Sequence, residues 1–505
     1  MKILSSTEIK SADAYTLVHE PIASVDLMER AAVACFRWIS HRFDLSHSFK
    51  IFCGTGNNGG DGLAIARLMT QANYVVDVFV VLYNDKKSDD FKINEQRLGR
   101  QSHRTMNVVK DDSDLPVLQK KDVVIDAIFG TGLNKPAEGL AAVCIRHINN
   151  SASIVIAIDM PSGLFADASV DHDTAIIKAT HTLSFQVPKL AFLFSENDRY
   201  VGNWKILDIG LNEDYIDQLP SNQFLIDLKM VKSFLKTRKK FSHKGIFGHA
   251  LLIAGSYGKI GAAVLAARSC LRTGTGLLTV HIPQCGYQVI QTSVPEAMVQ
   301  TDDDESVLSS LISTDKFTAV GIGCGIGTEE KTRKAFTSLL SATKIPMVLD
   351  ADAINILGNN KELLSLLPHN TILTPHPKEF ERITEKAAND FHRHQVQLNF
   401  VLKYKVYVVL KGAHSCIACP DGSVYFNNTG NPGMAKGGSG DALTGIILSL
   451  LAQHYSPKEA CILGVYVHGL AGDIAAKKMS MQSMIPSDLI ENLGEAFIEI
   501  GEALS

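Results

Sequence analysis

Asn431-Pro-Gly-Met-Ala-Lys-Gly-Gly-Ser-Gly-Asp441 runs straight into the apolar stretch Ala442 to Leu451. Gly437, Gly438 and Gly440 leave backbone N–H groups free to wrap an anion, and a helix beginning near Asp441 would aim its positive end at the same point. The stretch reads as a phosphate cradle inside an α/β domain. The Asp441 carboxylate stands where amides neutralise negative charge, so it is placed to take a proton from a hydroxyl rather than to bind the phosphate. A glycine-rich loop by itself is also a common turn signal. What sets this one apart is its place between two strongly apolar segments, at the mouth of a helix.

Working outward, the second half of the chain repeats one pattern, a short apolar strand ending in a polar or glycine loop. His249 to Ile253 leads into Gly255-Ser-Tyr-Gly258-Lys-Ile-Gly261 and a helix, and with the strand Leu277 to Ile282 this makes a βαβ unit. It is not a Walker A loop, because no hydroxyl follows Lys259. Later strands deliver Gly321, Gly323, Gly325 and Gly327, then Asp350-Ala-Asp352, then Pro375-His376-Pro377-Lys378-Glu379, then Lys411-Gly412-Ala413-His414-Ser415. His376, between two prolines after a strand, reads either as a rigid turn or as a substrate contact. Cys416-Ile-Ala-Cys419 lacks a second pair and precedes Pro420-Asp-Gly422, so it predicts a hairpin strand with buried thiols.

The first half opens with helix, its apolar residues spaced as Leu27, Ala31, Ala34 and Trp38. A strand from Lys50 then enters Gly54-Thr-Gly-Asn-Asn-Gly-Gly-Asp-Gly62, with a helix predicted from Leu63 to Gln71. Gly54-x-Gly56-x-x-Gly59 is formally a dinucleotide fingerprint, yet the acidic residue it requires after the next strand is misplaced, with Asp77 in mid-strand and Asp85 late. Asp122 to Asp126 is a buried strand leading to Gly130-Thr-Gly-Leu133, and Ile154 to Asp159 ends in Pro161-Ser162-Gly163. Each Asp alone could be a cap. In a parallel sheet, however, the carboxyl ends of neighbouring strands share one edge, so Asn58, Asp126, Asp159 and Ser162 can converge there.

The chain has 505 residues, 46% of them apolar and 20% charged, which predicts two large domains and little disorder. A net charge of −4 leaves no electrostatic footprint for nucleic acid. The start lacks a signal-peptide core, Ala442 to Ala452 is too short to span a bilayer, and nine cysteines without framework spacing suit a reducing cytoplasm. No membrane or nucleic-acid partner is expected.

The string Gly433 to Asp441, with Pro375 to Glu379, resembles the ribokinase-like phosphotransferases, and among them the ADP- or ATP-dependent NAD(P)H-hydrate dehydratases. Asn57 to Gly62, with the loops after Asp126 and Asp159, is similar to the NAD(P)H-hydrate epimerases. Together these resemblances cover nearly the whole chain. They imply two three-layer αβα domains: a Rossmann-like epimerase domain at 1–212 and a ribokinase-like dehydratase domain at 241–505, while the stretch 213–240 between them, polar and charged with no glycine loop, reads as a linker. They imply that Asn57, Asn58, Gly59, Gly60 and Asp61, with Gly130, Thr131, Gly132, Leu133, Asn134, Lys135 and Pro136, wrap a hydrated NADH or NADPH. Asp159 would contact it as acid/base, and Asn58, Asp126 and Ser162 would hold potassium. In the second domain, Ala262, Gly325, His376 and Asp441 would meet the substrate. Lys411, Gly412, Ala413, His414 and Ser415, with Gly437, Gly438, Ser439 and Gly440, would hold ADP or ATP with magnesium. Related sequences carry Pro where this chain has Cys324. A homo-oligomer is expected. Two rival expectations stand beside these: a ribokinase-like vitamin kinase in the second half, and a non-catalytic nucleotide-binding module in the first.

Overall fold

A computed structural model of the chain describes residues 1–101, 106–171, 173–310 and 312–501. The chain divides into two compact units, one of Lys2–Ser221 with Asn389–Phe391, the other of Met1, Asn222–Ala388 and His392–Ser505.

The first unit is built on seven strands: β1 Ser48–Cys53, β2 Val75–Val81, β3 Asn107–Val109, β4 Asp122–Ala127, β5 Ile154–Ile158, β6 His181–Phe185 and β7 Asn203–Leu207. Their order is β3-β2-β1-β4-β5-β6-β7, and every neighbouring pair is parallel. Strands covered on both faces are buried along their whole length and mostly apolar. β4 accordingly has all six residues buried. The order reverses between β1 and β4, so a crevice opens at their carboxyl ends, where Cys53 is in register with Ala127 and Asp126 with Ala157. The opening helical segment is two helices, Ser6–His19 and Ser24–Ser40, with Pro21 between them.

The helix expected from Leu63 instead begins at Asn57, so Asn57 to Gly62 forms its first turns rather than a loop. Close packing is the reason. A Cβ on Gly59 would lie 1.8 Å from the Gly54 carbonyl oxygen, and one on Gly62 would lie 2.7 Å from Ala127 Cβ. Only bare backbone lets this helix start so near the strand ends.

The second unit holds ten strands: β8 Gln223–Leu225, β9 His249–Ile253, β10 Leu277–Ile282, β11 Met298–Thr301, β12 Ala319–Ile322, β13 Met347–Leu349, β14 Ile372–Leu373, β15 Tyr407–Leu410, β16 Cys416–Ala418 and β17 Val424–Phe426. Their order is β11-β10-β9-β12-β13-β14-β15-β16-β17-β8, with β16 antiparallel to both β15 and β17. The hairpin expected at Cys416–Cys419 is this pair, and both thiols are buried.

The stretch 213–240 is not a bare linker. It contains the helices Glu213–Gln218 and Leu228–Phe234, and between them β8 pairs with β17 in the second sheet. Its polar composition hid four core residues, Ile216, Leu225, Ile226 and Val231, each at most 7% exposed. Two helices line up behind the cradle. Ser439–Ala452 is buried from Ala442 onward and lies so close to Ile260–Arg272 that a Cβ on Gly445 would fall 2.1 Å from the Ala266 carbonyl oxygen. Pro457–Met479 is long and apolar enough to cross a membrane, and 67% of its apolar window is buried within the protein.

Candidate active sites

In the first unit a cavity of about 670 Å³ opens over the strand ends. Asn57, Asn58, Asp61, Gly130, Thr131, Gly132, Leu133, Asn134 and Asp159 line it. Gly59 and Gly60 lie behind that wall, against Gly54 and Met28. Lys135 and Pro136 do not line the cavity.

Asp159 sits just past β5 with φ +64°, a strained setting for a side chain that bears a Cβ. Its Oδ2 accepts the Thr131 N–H at 2.9 Å, and its Oδ1 pairs with Lys189 Nζ at 3.0 Å. Burial would raise this carboxyl, but Lys189 and the Thr131 N–H outweigh burial and hold it below its ordinary value. Lys189 is fully buried and also donates to Ser184 Oγ at 2.7 Å and to the Phe185 carbonyl at 3.0 Å. Sequence reasoning missed it. A lysine set in Val187-Pro-Lys-Leu-Ala-Phe-Leu-Phe194 carried the signal, because a cation buried among apolar residues must be paired.

Asp126 and Ser162 meet directly. Asp126 Oδ1 accepts the Ser162 hydroxyl at 2.6 Å, and Oδ2 accepts the Ser162 N–H at 2.8 Å. Burial pushes Asp126 up to about 6, against those hydrogen bonds. The Asn58 side chain is buried with neither its Oδ1 nor its Nδ2 hydrogen-bonded. A Cβ on Gly130 would stand 3.3 Å from Asn58 Oδ1 and 2.9 Å from Asp159 Oδ2, so both oxygens face this glycine. An orphaned amide oxygen close to hard oxygen donors is the chemistry of a cation site, since leaving it unmet costs on the order of 1–3 kcal/mol.

In the second unit Gly438 precedes the helix in the left-handed conformation at φ +99°, and Asp441 lies in the first turn. Among the described residues, the N–H groups of Gly437, Gly438, Gly440 and Asp441 have no protein acceptor, whereas that of Ser439 is taken by the Lys436 carbonyl at 3.3 Å. The open amides therefore fit an anion. Lys411 Nζ would stand 3.3 Å, and Asp350 Oδ2 3.6 Å, from a Cβ on Gly440. Lys436 reaches away, donating to the Gln482 carbonyl at 2.7 Å.

Asp350 is the hub that the sequence reading passed over. Its Oδ1 accepts from Lys411 Nζ and Thr374 Oγ1, and its Oδ2 accepts from Thr444 Oγ1, each at 2.8 Å. Burial alone would lower Lys411, but Asp350 and then Glu379, 4.0 Å away, raise it, so the ammonium persists. Asp441 is pushed up to about 6 by burial and by the charge of Asp350, against a hydrogen bond from Cys324 and the charge of Lys411. The Cys324 thiol, pushed far above its usual range by burial, stays protonated beside the two carboxylates. Ala262 and Gly325 are neighbours, a Cβ on Gly325 falling 3.2 Å from Ala262 Cβ. His376 caps the helix Pro377–Ile383, its Nδ1 accepting the Glu379 N–H at 3.2 Å. Gly412 to Ser415 forms the turn after β15, where His414 Nδ1 lies 3.2 Å from the Asn427 carbonyl oxygen. His468, missed as a site residue, is partly buried, and that burial lowers it to about 4. Its neutral Nε2–H donates to the Ser439 carbonyl at 3.0 Å and steadies the cradle.

Residues 24–191 match the family described as YjeF-related protein N-terminus, and residues 250–495 the family described as NAD(P)H-hydrate dehydratase. A bifunctional NAD(P)H-hydrate repair enzyme of Moorella thermoacetica is 34% identical over 98% of this chain and 96% of that protein. The chain belongs to the bifunctional NAD(P)H-hydrate repair enzyme family. The repair enzyme of Escherichia coli is 31% identical, over 93% of this chain and 88% of that protein. A solved ribokinase-like superfamily protein of Enterococcus faecalis, 24% identical, aligns with a TM-score of 0.50 over 56% of this chain and 98% of its own length, which gives the fold of the second unit.

Proposed function

We propose that this member of the repair-enzyme family interconverts the R and S hydrates of NADH and NADPH in its first unit and dehydrates the S form in its second, at the expense of ADP. The observation that carries the second half is the convergence near Gly440: open amides and the Lys411 ammonium stand there, and the Asp441 carboxylate lies within 4.8 Å of the Asp350 carboxylate that Lys411 pairs with. Asp441 takes the proton from the ring hydroxyl as that oxygen attacks the terminal phosphorus of the nucleotide. The amides and Lys411 hold the charge in transfer. AMP departs as the new P–O bond forms, phosphate then leaves with the ring C–O electron pair, and loss of a proton from the neighbouring ring carbon to water restores the double bond. Magnesium bound with the nucleotide would neutralise its phosphates, and Asp350 and Asp441, with carboxylate oxygens within 4.8 Å of each other, are the residues that would hold it. In the first unit Asn58, Asp126 and Ser162 would hold potassium, supported by the unmatched Asn58 oxygen.

Absorbance recovery tests this. Hydrated NADH with ADP should regain the NADH band in the presence of the protein, and Asp441→Asn should lower that rate by about 10³-fold with nucleotide affinity kept. A stable phosphate ester without recovery of the band would instead mark a small-molecule kinase. The same experiment with ATP measures nucleotide preference.

A further inference from the structure

Exchange between R and S hydrates needs a group on each face of the ring, and Asp159 supplies one. The helix Ser6–His19 contributes Ile9, Lys10, Asp13, Ala14 and Leu17 to the same cavity, a stripe at helical spacing. Asp13 is its carboxylate. It belongs to no motif, comes from outside the sheet, and is only partly exposed. We propose that Asp13 is the second acid/base residue of the epimerase site, working across the cavity from the sheet edge that carries Asp159.

The charged and titratable walls around it are Lys10, Asp61, Tyr83, Asp90, Asp159 and Lys189. Burial first, then the charge of Asp159, pushes Asp13 up to about 6, with Lys189 opposing. Asp159 is held low. Two carboxyls whose surroundings drive their proton affinities apart are the mark of an acid and a base. Asp61 is also kept protonated, but its enclosure at 8% exposure leaves it a fixed donor rather than a group that trades protons with cavity water.

This rests on the epimerase reading above. Water adds to an enamine with its oxygen on the carbon beside nitrogen. Protonated Asp13 gives its proton to that hydroxyl, the C–O bond breaks with both electrons leaving as water, and the nitrogen lone pair forms the C=N⁺ bond. Water attacks from the other face, the C=N π pair returns to nitrogen, and Asp159 takes the surplus proton. One proton has moved from Asp13 to Asp159, and cavity water returns it. The reverse conversion follows the same path backwards.

The test compares Asp13→Asn, Asp13→Glu, Asp61→Asn and Asp159→Ala in the full chain by following R/S exchange chromatographically, with dehydration of pure S hydrate as an internal control. Asp13→Asn should slow exchange about 10²–10⁴-fold, Asp13→Glu should restore part of it, and S-form dehydration should stay at the wild-type rate. Wild-type exchange should decline as pH rises through about 6, and that limb should move or vanish in Asp13→Glu. Exchange by folded Asp13→Asn within threefold of wild type overturns the inference. If Asp13→Asn does not fold, an unmoved limb in Asp13→Glu overturns it, as does a loss larger in Asp61→Asn than in Asp13→Glu. Should Asp159→Ala also leave exchange intact, the epimerase reading itself falls. Loss in Asp159→Ala with none in Asp13→Asn sinks only the role of Asp13.

Discussion

Asp159 is buried and Asp441 partly so, and their surroundings treat them oppositely. Lys189 and a backbone N–H keep Asp159 ionised, whereas burial, and after it the charge of Asp350, lifts Asp441 to about 6. Dehydration should therefore fall as pH drops through about 6, because a base must be unprotonated to work. The same shift has a stability consequence. The folded protein holds the Asp441 proton more tightly than the unfolded chain does, so stability declines as pH rises from about 4 to about 6 and stays lower above. Asp441→Asn should thus melt higher than wild type at pH 8 and level with it near pH 4. Cys324 donates to Asp441 and lowers it, so Cys324→Ala should raise the affinity of Asp441 for its proton and move the acid limb of the rate profile upward. A limb that stays put in that variant would show that the thiol leaves Asp441 untouched.

At the scale of elements, Asn57–Gln71 is the sharpest case. Gly59→Ala places a methyl 1.8 Å from the Gly54 carbonyl oxygen, a clash with backbone that no rotamer relieves, and it should cost about 3 kcal/mol or more in a denaturant melt. The strands were legible in the sequence because doubly covered parallel strands are continuous apolar runs, as β5, β12 and β13 are. The glycine motifs marked where those strands end. The start of this helix was not legible, because Asn57 to Gly62 has a loop's composition and only tertiary packing selects helix. Asp350 and Lys189 were passed over for a related reason. Their importance lies in partners distant in the chain, 61 residues away for Asp350 and Lys411, and no local spacing records that.

For the whole molecule, the boundary between the units falls at Ser221–Asn222, inside the stretch 213–240 that its polar composition marks as a linker. A fragment starting at Asn222 keeps Leu225, Ile226 and Val231, whereas one starting at Phe241 loses all three. At about 1.5–3 kcal/mol for each buried side chain, the shorter fragment should be less stable by roughly 5 kcal/mol, measured by denaturant midpoint. Equal midpoints would mean that β8 and its helix are ornament.

All nine cysteines are free, and eight are buried, with Cys285 alone partly open to water. An alkylating reagent should therefore add a single adduct to the native protein and nine to the denatured one. The mass spectrum of a briefly labelled sample then becomes a ledger of how many molecules had opened, read without any probe being attached in advance.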